Sequence, residues 1–324
     1  MILAGDIGGT KTVLGLYTKN PQGTLECVCE QTFASNAYPQ FDDILELFLK
    51  SDSKIDTACF GIAGPIVDQR CQTTNLPWVI DARELATKLG TPKIKLLNDL
   101  EAMALGILNS PANDLVELNP NAQTKNGNIA IIAAGTGLGQ AILYWDGTQH
   151  QPMATEGGHT DFAPQTPQQD QLLGYLRKLF KDHVSWERVL CGDGFGYLYD
   201  FLLDIGFGAA NPAIPSASHA DDRNAMISRL GINNEDPVCI EVVRLFTELY
   251  AAEAGNLALK CLSSGGVFIG GGISPKIRPA LESADFLRAF TAKGRFTNLL
   301  SQMSIKLSLN PNTPLMGAAN YFSD

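Results

Sequence analysis

Two turns rich in glycine and threonine, "GDIGGTKT" and "AAGTGLGQ", carry the first sign of chemistry in this sequence. Each stands between two apolar runs, so each is predicted to join the strands of a β-hairpin. Glycine allows a close backbone approach and positive φ, so successive N–H groups can point at one anion. Thr10 and Thr136 add hydroxyl donors. Either turn alone is typical of a tight hairpin, but the pair favours phosphate binding.

Two common glycine motifs do not fit these turns. "GTGLGQ" has Gln140 where the dinucleotide fingerprint has its third glycine, and a predicted strand follows it instead of a helix. "GGTKT" lacks the Gly-Lys-Ser/Thr order of a P-loop. The sequence therefore predicts a phosphate site of another kind.

Three further stretches hold polar residues that could bind a substrate. "LLNDLEA" places Asn98 and Asp99 at the carboxyl end of a predicted buried strand, where α/β proteins bind ligands. The same pair is also typical of a helix N-cap. "MATEGGHTDFAP" sets Glu156 and His159 around two glycines, and "HVSWERVLCGDG" carries Glu187 in a predicted short helix. A polar turn and a solvated helix face are the alternative interpretations of these last two.

The predicted elements that position these residues follow one plan twice. Three strands, a helix and a strand open the chain, and a helix, the strand "KIKLLND" and another helix follow. After the Asn- and Pro-rich stretch 109–128, "IAIIAA" begins the order again. The sequence therefore predicts two α/β units, each opening with a glycine-turn hairpin, with the junction in 109–128.

Composition limits the partners. The 324 residues are 45% hydrophobic and carry a formal net charge of −10, which suits two domains and argues against nucleic acid or an anionic membrane as partner. The seven cysteines are odd in number and include no C-x-x-C pair, so neither a disulfide framework nor a zinc knuckle is indicated. Reduced thiols in a cytoplasmic enzyme, with no signal peptide and no membrane helix, are expected.

The motifs together resemble those of bacterial glucokinases in the actin-like sugar kinase superfamily. "GDIGGT", "LLND", "AAGTGLG", "EGGHTDFAP", "ERVLCGDG" and "GGVFIGGGI" occur in that family's order over essentially the whole chain. One branch of the superfamily follows its Gly-His pair with a Cys-rich zinc motif, whereas here no cysteine follows His159 until Cys191. The chain is therefore similar to the zinc-independent branch, and no structural zinc is expected.

The resemblance implies the fold, the reaction and the cofactors. The expected fold is the α/β two-domain actin-like ATPase (ribonuclease H-like) fold, with ATP and sugar in the interdomain cleft. The implied domains are a small one, residues 1–109 plus 303–324, and a large one, residues 110–302. The implied reaction is the ATP-dependent, Mg²⁺-dependent phosphorylation of D-glucose at its 6-hydroxyl, which feeds glycolysis. A cytoplasmic homodimer is also implied.

The resemblance further implies roles for individual residues. Asp99 would be the general base that accepts the proton of the attacking hydroxyl, because phosphoryl transfer otherwise depends on positioning and charge neutralisation. Asp6 would contact Mg²⁺ through water, and the role of Lys11 stays open. The implied sugar-binding residues are Asn75, Asn98, Asp99, Glu156, His159 and Glu187. The implied nucleotide-binding residues are Gly5, Asp6, Ile7, Gly8, Gly9, Thr10, Gly135, Thr136, Gly137, Gly139, Gly270, Gly271 and Gly272.

Two alternatives stay open from the sequence. One is a kinase of the same fold for another hexose or an amino sugar. The other is a sugar-sensing regulator without turnover, which normally carries a DNA-binding module; no basic helix-turn-helix segment is found before residue 4.

Overall fold

A computed structural model describes residues 1–49, 54–73, 76–123, 125–216 and 220–322. Within these residues the chain forms two compact α/β units, each built around its own sheet and its own hydrophobic clusters.

The first unit comprises Met1–Asp114 and Asn310–Asp324. Its main sheet has the strand order β3-β2-β1-β4-β8, in which β1 pairs antiparallel with β2 and parallel with β4. A small antiparallel sheet, β5-β6-β7, accompanies it. The elements of this unit are β1 (Ile2–Ile7), β2 (Lys11–Lys19), β3 (Leu25–Ala34), α1 (Phe41–Phe48), β4 (Thr57–Ile62), β5 (Ile66–Val67), β6 (Arg70–Gln72), β7 (Val79–Asp81), α2 (Ala82–Leu89), β8 (Ile94–Asn98), α3 (Asp99–Leu108) and, at the end of the chain, α11 (Thr313–Asn320).

Helix α11 fixes the helix that begins at Asp99. A Cβ at Gly106 of α3 would lie 1.9 Å from the carbonyl oxygen of Thr313, and a Cβ at Gly317 of α11 would lie 1.8 Å from that of Ala102. The two backbones are therefore in direct contact, which only glycine allows here. The returning C-terminal segment thus supports the helix that carries the first candidate site residues.

The second unit comprises Leu115–Leu309. Its sheet has the order β12-β11-β10-β13-β14-β9, and β10 pairs antiparallel with β11 and parallel with β13. The elements are β9 (Leu115–Glu117), β10 (Ile129–Ala134), β11 (Leu138–Trp145), β12 (His150–Thr155), α4 (Pro167–Leu179), α5 (Gly192–Asp204), α6 (Ala220–Ile232), α7 (Pro237–Cys261), β13 (Gly266–Gly270), α8 (Arg278–Leu281), α9 (Ala284–Thr291), α10 (Thr297–Leu300) and β14 (Ile305–Ser308).

The two sheets share one plan. In each, an antiparallel meander of three strands is followed by parallel strands added beside its first strand, β4 and β8 in one unit and β13 and β14 in the other. Each glycine turn joins the first two strands of its meander, β1 to β2 and β10 to β11. Two α/β units that each contain a glycine-turn hairpin agree with the expected α/β fold; the hairpin opens the first unit, whereas the short strand β9 precedes it in the second.

The structure adds a strand where the sequence predicted a loop. Strand β9 lies inside the stretch 109–128 and pairs antiparallel with β14, with Leu307 opposite Val116. The units change at residues 114/115 and 309/310, whereas the sequence placed the boundaries at 109 and 303. The difference arises because β14 completes the second sheet beside β13.

Two further features concern the cysteines and the helices. All seven cysteines are free thiols; five are buried, and Cys27 and Cys29 are exposed on β3. Among the helices of the described ranges, none combines the length and the apolar character that a membrane span requires.

Candidate active site

The first glycine turn joins β1 to β2 and is held by a serine from outside the hairpin. The N–H of Gly8 donates to the carbonyl oxygen of Lys11 at 3.0 Å. Ser35 donates its hydroxyl to the carbonyl oxygen of Gly8 at 2.7 Å and its N–H to that of Thr10 at 3.0 Å. The turn is therefore fixed by the protein itself, as a preorganised anion site requires.

Asp6 lies at the end of β1, directly before this turn. Burial raises the pKa of Asp6 to about 6, and the positive charge of Lys11 opposes the shift. Its neighbours face the core: a Cβ at Gly5 would lie 2.5 Å from Cδ1 of Phe60, and the side chain of Ile7 is buried. Asp6 is thus the polar side chain that β1 brings to the turn.

Asn98 and Asp99 lie where β8 ends and α3 begins. Oδ1 of Asn98 accepts from the N–H of Leu100 at 2.9 Å, and Oε2 of Glu101 accepts from the N–H of Asn98 at 3.0 Å, which forms a capping box. Nδ2 of Asn98 donates to the carbonyl oxygen of Gly64 at 3.3 Å. Asp99 follows as the first residue of the helix, where the helix dipole favours a carboxylate. The N-cap interpretation thus holds for Asn98 and leaves the role of Asp99 as a base open.

The second glycine turn joins β10 to β11 and is tied to two other segments. The N–H of Gly135 donates to the carbonyl oxygen of Gly137 at 2.8 Å, which closes the turn. The carbonyl oxygen of Gly135 accepts from the N–H of Gly192, at the start of α5, at 2.9 Å. The N–H of Leu138 donates to Oε2 of Glu187 at 3.0 Å. This turn is thereby connected both to a helix N-terminus and to a predicted sugar-binding residue.

Glu187 and His159 come together although they are distant in sequence. Oε1 of Glu187 lies 3.8 Å from Nδ1 of His159, and the N–H of Glu187 donates to the carbonyl oxygen of Gly158 at 2.9 Å. Glu156 opens the short turn Gly157–His159, and its carbonyl oxygen accepts from the N–H of His159 at 3.0 Å. The two stretches in which the sequence placed these three residues are therefore held together within the second unit, with the side chains of Glu187 and His159 facing each other.

The predicted short helix at Glu187 is wrong. The segment is a turn, in which Trp186 and Glu187 donate their N–H groups to the carbonyl oxygens of Thr160 and Gly158. The N–H of Leu190 bonds back to the carbonyl oxygen of Trp186 at 2.8 Å, so only a single turn forms, and the bonds to Thr160 and Gly158 hold the backbone of Glu187 beside that loop. The glycines that follow Cys191 open helix α5.

The third glycine segment, Gly270–Gly272, lies against the end of β10. A Cβ at Gly271, whose φ is +82°, would lie 2.2 Å from the carbonyl oxygen of Ala134. The N–H of Ile273 donates to the same oxygen at 3.2 Å, and the hydroxyl of Ser274 donates to the carbonyl oxygen of Gly270 at 2.6 Å. The second and third glycine segments are therefore neighbours.

Gly271→Ala is expected to destabilise the protein by about 2 to 5 kcal/mol, because the side chain both meets a backbone oxygen and must adopt positive φ. Gly272→Ala is the matched control, since a Cβ there meets no atom within 4 Å. Urea unfolding of the two variants measures the difference. Equal free energies of unfolding would contradict the close approach at Gly271.

A cavity of about 530 Å³ opens beside these glycine segments, and no motif in the sequence predicts it. Its size is in the range of sites for small molecules. Two of the residues that line it adjoin the glycine segments: Gly192 bonds to the second glycine turn, and Ile273 follows the third glycine segment. Most of the remaining lining comes from one face of α6. The lining residues are Gly192, Phe195, Asn224, Ala225, Ser228, Arg229, Ile232, Asn233, Ile273 and Lys276.

Three predicted site residues remain to be placed, together with the question of a metal site. Asn75 lies outside the described residues. Thr136 is exposed at the tip of the second turn, and Gly139 lies within β11, opposite Ala133. In the described ranges no group of three or more His, Cys, Asp or Glu side chains is arranged to hold a metal ion unaided.

The fold and these sites define a class of protein. Two α/β units of one plan, each with a glycine turn after its first strand, form the two-domain actin-like sugar kinase fold. A solved glucokinase from an Antarctic psychrotroph is 31% identical, with 98% of this chain and 97% of that chain covered and a TM-score of 0.84. A ROK family glucokinase from Streptomyces griseus, solved with glucose and AMPPNP, shares the fold at a TM-score of 0.66 and 18% identity, with 98% of both chains covered.

Sequence comparison identifies the family. Residues 3–324 match the family model described as Glucokinase. The glucokinase of Trichormus variabilis is 39% identical over 98% of both chains, and that of Synechocystis is 37% identical over 98% of this chain and 96% of the relative. The chain belongs to the glucokinase family, which supports ATP-dependent phosphorylation of glucose as its activity.

Proposed function

We propose that this protein transfers the γ-phosphoryl group of ATP to the 6-hydroxyl of D-glucose and releases glucose 6-phosphate and ADP. The observation that carries the proposal is the position of Glu187. One carboxylate oxygen accepts from the N–H of Leu138 at the end of the second glycine turn, and the other faces His159. A single side chain thereby joins a turn suited to phosphate to a cluster suited to sugar hydroxyls.

ATP would be bound by the second unit through its glycine segments and the cavity beside them. The turn Gly135–Gly137 and the start of α5 at Gly192 offer backbone N–H groups and a helix N-terminus to the inner phosphates. The cavity combines apolar walls, such as Ile232 and Ile273, with polar groups of Asn224 and Ser228, as an adenosine site requires. The first turn, Gly8 to Thr10, would contact the γ-phosphate.

Mg²⁺ fits the residues around the first turn as an ion that arrives with the nucleotide. Mg²⁺ usually takes one or two carboxylates, substrate phosphates and several waters, and does not need a cage of protein ligands. Asp6 is a partly buried carboxyl group with a pKa raised to about 6, so a nearby cation would favour its charged form. Asp6 would hold the ion through water. The ion would supply neutralisation of phosphate charge.

Glucose would be bound by carboxylates, two amides and an imidazole. Glu156, His159 and Glu187 would accept from or donate to its hydroxyl groups, with Asn98 and Asn75 contributing amides. Asp99 would accept the proton of the 6-hydroxyl as that oxygen attacks phosphorus. Each of these groups is of a type that discriminates sugars by hydroxyl pattern, because a missing hydroxyl leaves the matching polar group without its partner.

The setting we propose is a homodimer in the cytoplasm, without nucleic-acid or membrane partners. The family resemblance supports the dimer. Seven free thiols support a reducing compartment, and the net charge of −10 disfavours polyanionic partners.

The activity itself is tested by a coupled assay with a panel of hexoses and phosphoryl donors. ATP with glucose should give the highest kcat/KM, ahead of mannose and glucosamine and ahead of ADP or polyphosphate as donor. A higher kcat/KM with an amino sugar would identify that sugar as the preferred substrate. No turnover with any sugar would favour a sugar-sensing regulator.

Ala225→Trp is expected to raise the KM for ATP about tenfold while leaving glucose affinity unchanged, because the indole fills the proposed adenosine cavity. Ala225 is exposed on α6, so the fold should tolerate the change. Asp222→Trp is the control, since Asp222 lies on the same helix outside the cavity lining. Steady-state kinetics with each substrate varied in turn, together with calorimetry for glucose, measure both quantities. An unchanged KM for ATP would place the nucleotide elsewhere.

A further inference from the structure

A buried polar pair lies behind the loop that carries Glu156 and His159. Gln140 on β11 is 1% exposed and donates Nε2 to Oε1 of Glu253 on α7 at 2.8 Å, and Glu253 is 0% exposed. A carboxylate and an amide in such a position cost free energy unless they bond well. Gln140 is also the residue that breaks the dinucleotide motif in the sequence.

The surroundings of Glu253 determine which way the Gln140 amide faces. Its other oxygen, Oε2, accepts from Nδ2 of Asn256 at 2.9 Å, and Nζ of Lys260 lies 3.8 Å from Oε1. Lys293 extends the network by donating to Oδ1 of Asn256 at 2.7 Å. With Oε1 facing Nε2 of Gln140 and Oε2 facing Nδ2 of Asn256, both oxygens of Glu253 act as acceptors. The Gln140 amide must therefore turn its NH₂ group to Glu253 and its oxygen to the opposite side.

The oxygen of the Gln140 amide lies against the loop that carries Glu156 and His159, which we call the sugar loop. A Cβ at Gly157 would be 2.2 Å from Oε1 of Gln140, so the loop backbone rests directly on the amide. A second link runs through Thr155, whose hydroxyl donates to the carbonyl oxygen of Gln140 at 2.9 Å and accepts from the N–H of Gly157 at 3.1 Å. The side chain and the main chain of Gln140 therefore both fix Gly157.

We propose that Gln140 and Glu253 are a positioning pair that sets the affinity for glucose without contacting it. Gly157 begins the turn that separates Glu156 from His159, so a shift of Gly157 displaces both side chains. The proposal rests on the proposed function, because it requires these two residues to bind the sugar. A shift of well under 1 Å is enough to weaken hydrogen bonds to several hydroxyls at once.

The test uses two variants that remove the pair in different ways. Gln140→Leu keeps the size and removes the amide, and Glu253→Gln keeps the size but no longer dictates which end of the Gln140 amide faces the loop. Each should raise the KM and the calorimetric Kd for glucose, by about tenfold for Gln140→Leu and less for Glu253→Gln, with the KM for ATP within about twofold of wild type. If Gln140→Leu fails to fold, the conservative Glu253→Gln decides.

Asn119→Leu is the matched control for the loss of a buried amide. Asn119 is 3% exposed and donates to the carbonyl oxygens of Ser301 and Met303, so it should reduce stability without changing the glucose KM. Wild-type glucose affinity in both Gln140→Leu and Glu253→Gln overturns the proposal, as does an equal rise in the KM for glucose and for ATP.

Glu156→Gln separates this proposal from the proposed function. It should raise the glucose KM whether or not Gln140 positions the loop. If Glu156→Gln weakens glucose binding and the variants of Gln140 and Glu253 do not, the positioning role of this pair is contradicted and the proposed function is not. If Glu156→Gln has no effect, the assignment of the sugar loop fails first.

Discussion

Asp99→Asn is expected to lower kcat by about 10²- to 10⁴-fold, or about 2.7 to 5.5 kcal/mol of barrier, with ATP affinity unchanged. The reason is that asparagine keeps the shape of the side chain but cannot accept the proton of the 6-hydroxyl. Asp99 is the first residue of α3, beside the capped Asn98, so the substitution should leave the helix in place. Rapid-quench measurement of the phosphoryl-transfer step, with nucleotide binding by calorimetry, checks both parts.

The matched control is Asp81→Asn. Asp81 caps α2 in the same unit and accepts from the N–H of Arg83 at 2.9 Å, and asparagine is an equally good cap. It makes the same chemical change at another helix start, so kcat should stay at the wild-type value. Near-normal turnover in Asp99→Asn would falsify the base assignment, and an equal loss in Asp81→Asn would show a general effect on the unit.

Glu187→Ala is expected to lower kcat/KM for glucose about 10²-fold and also to raise the KM for ATP. Both substrates are affected because the carboxylate faces His159 and also accepts the N–H of Leu138, at the end of the second glycine turn. The alanine variant leaves that N–H without its partner, so the turn loses a constraint on its conformation.

Glu187→Gln separates the two roles. Its amide retains one oxygen that can accept from the N–H of Leu138, so the KM for ATP should return towards wild type. The negative charge beside His159 is still lost, so glucose use should stay impaired. Steady-state kinetics of the two variants with both substrates measure the split. An alanine variant with normal KM values for both substrates would mean that Glu187 has neither role.

The sequence by itself determined the features that local patterns encode. The two glycine-turn hairpins follow from apolar runs around Gly/Thr turns, and Asn98 and Asp99 stand where a buried strand must end. The repeated order of elements predicted two α/β units. These inferences succeed because hairpins, strand ends and helix caps are formed by residues a few positions apart.

Only the tertiary structure decided what depends on distant partners. The bond between Gln140 and Glu253 spans 113 positions, and the bond that ties Glu117 to Ile305 beside β9 spans 188. Glu187 lies beside His159 because its N–H bonds to the carbonyl oxygen of Gly158, on a loop distant in sequence. The cavity beside the glycine segments likewise exists only once α5 and α6 have packed. No periodicity in the chain encodes these contacts, because each is chosen by the packing of whole elements rather than by neighbouring residues.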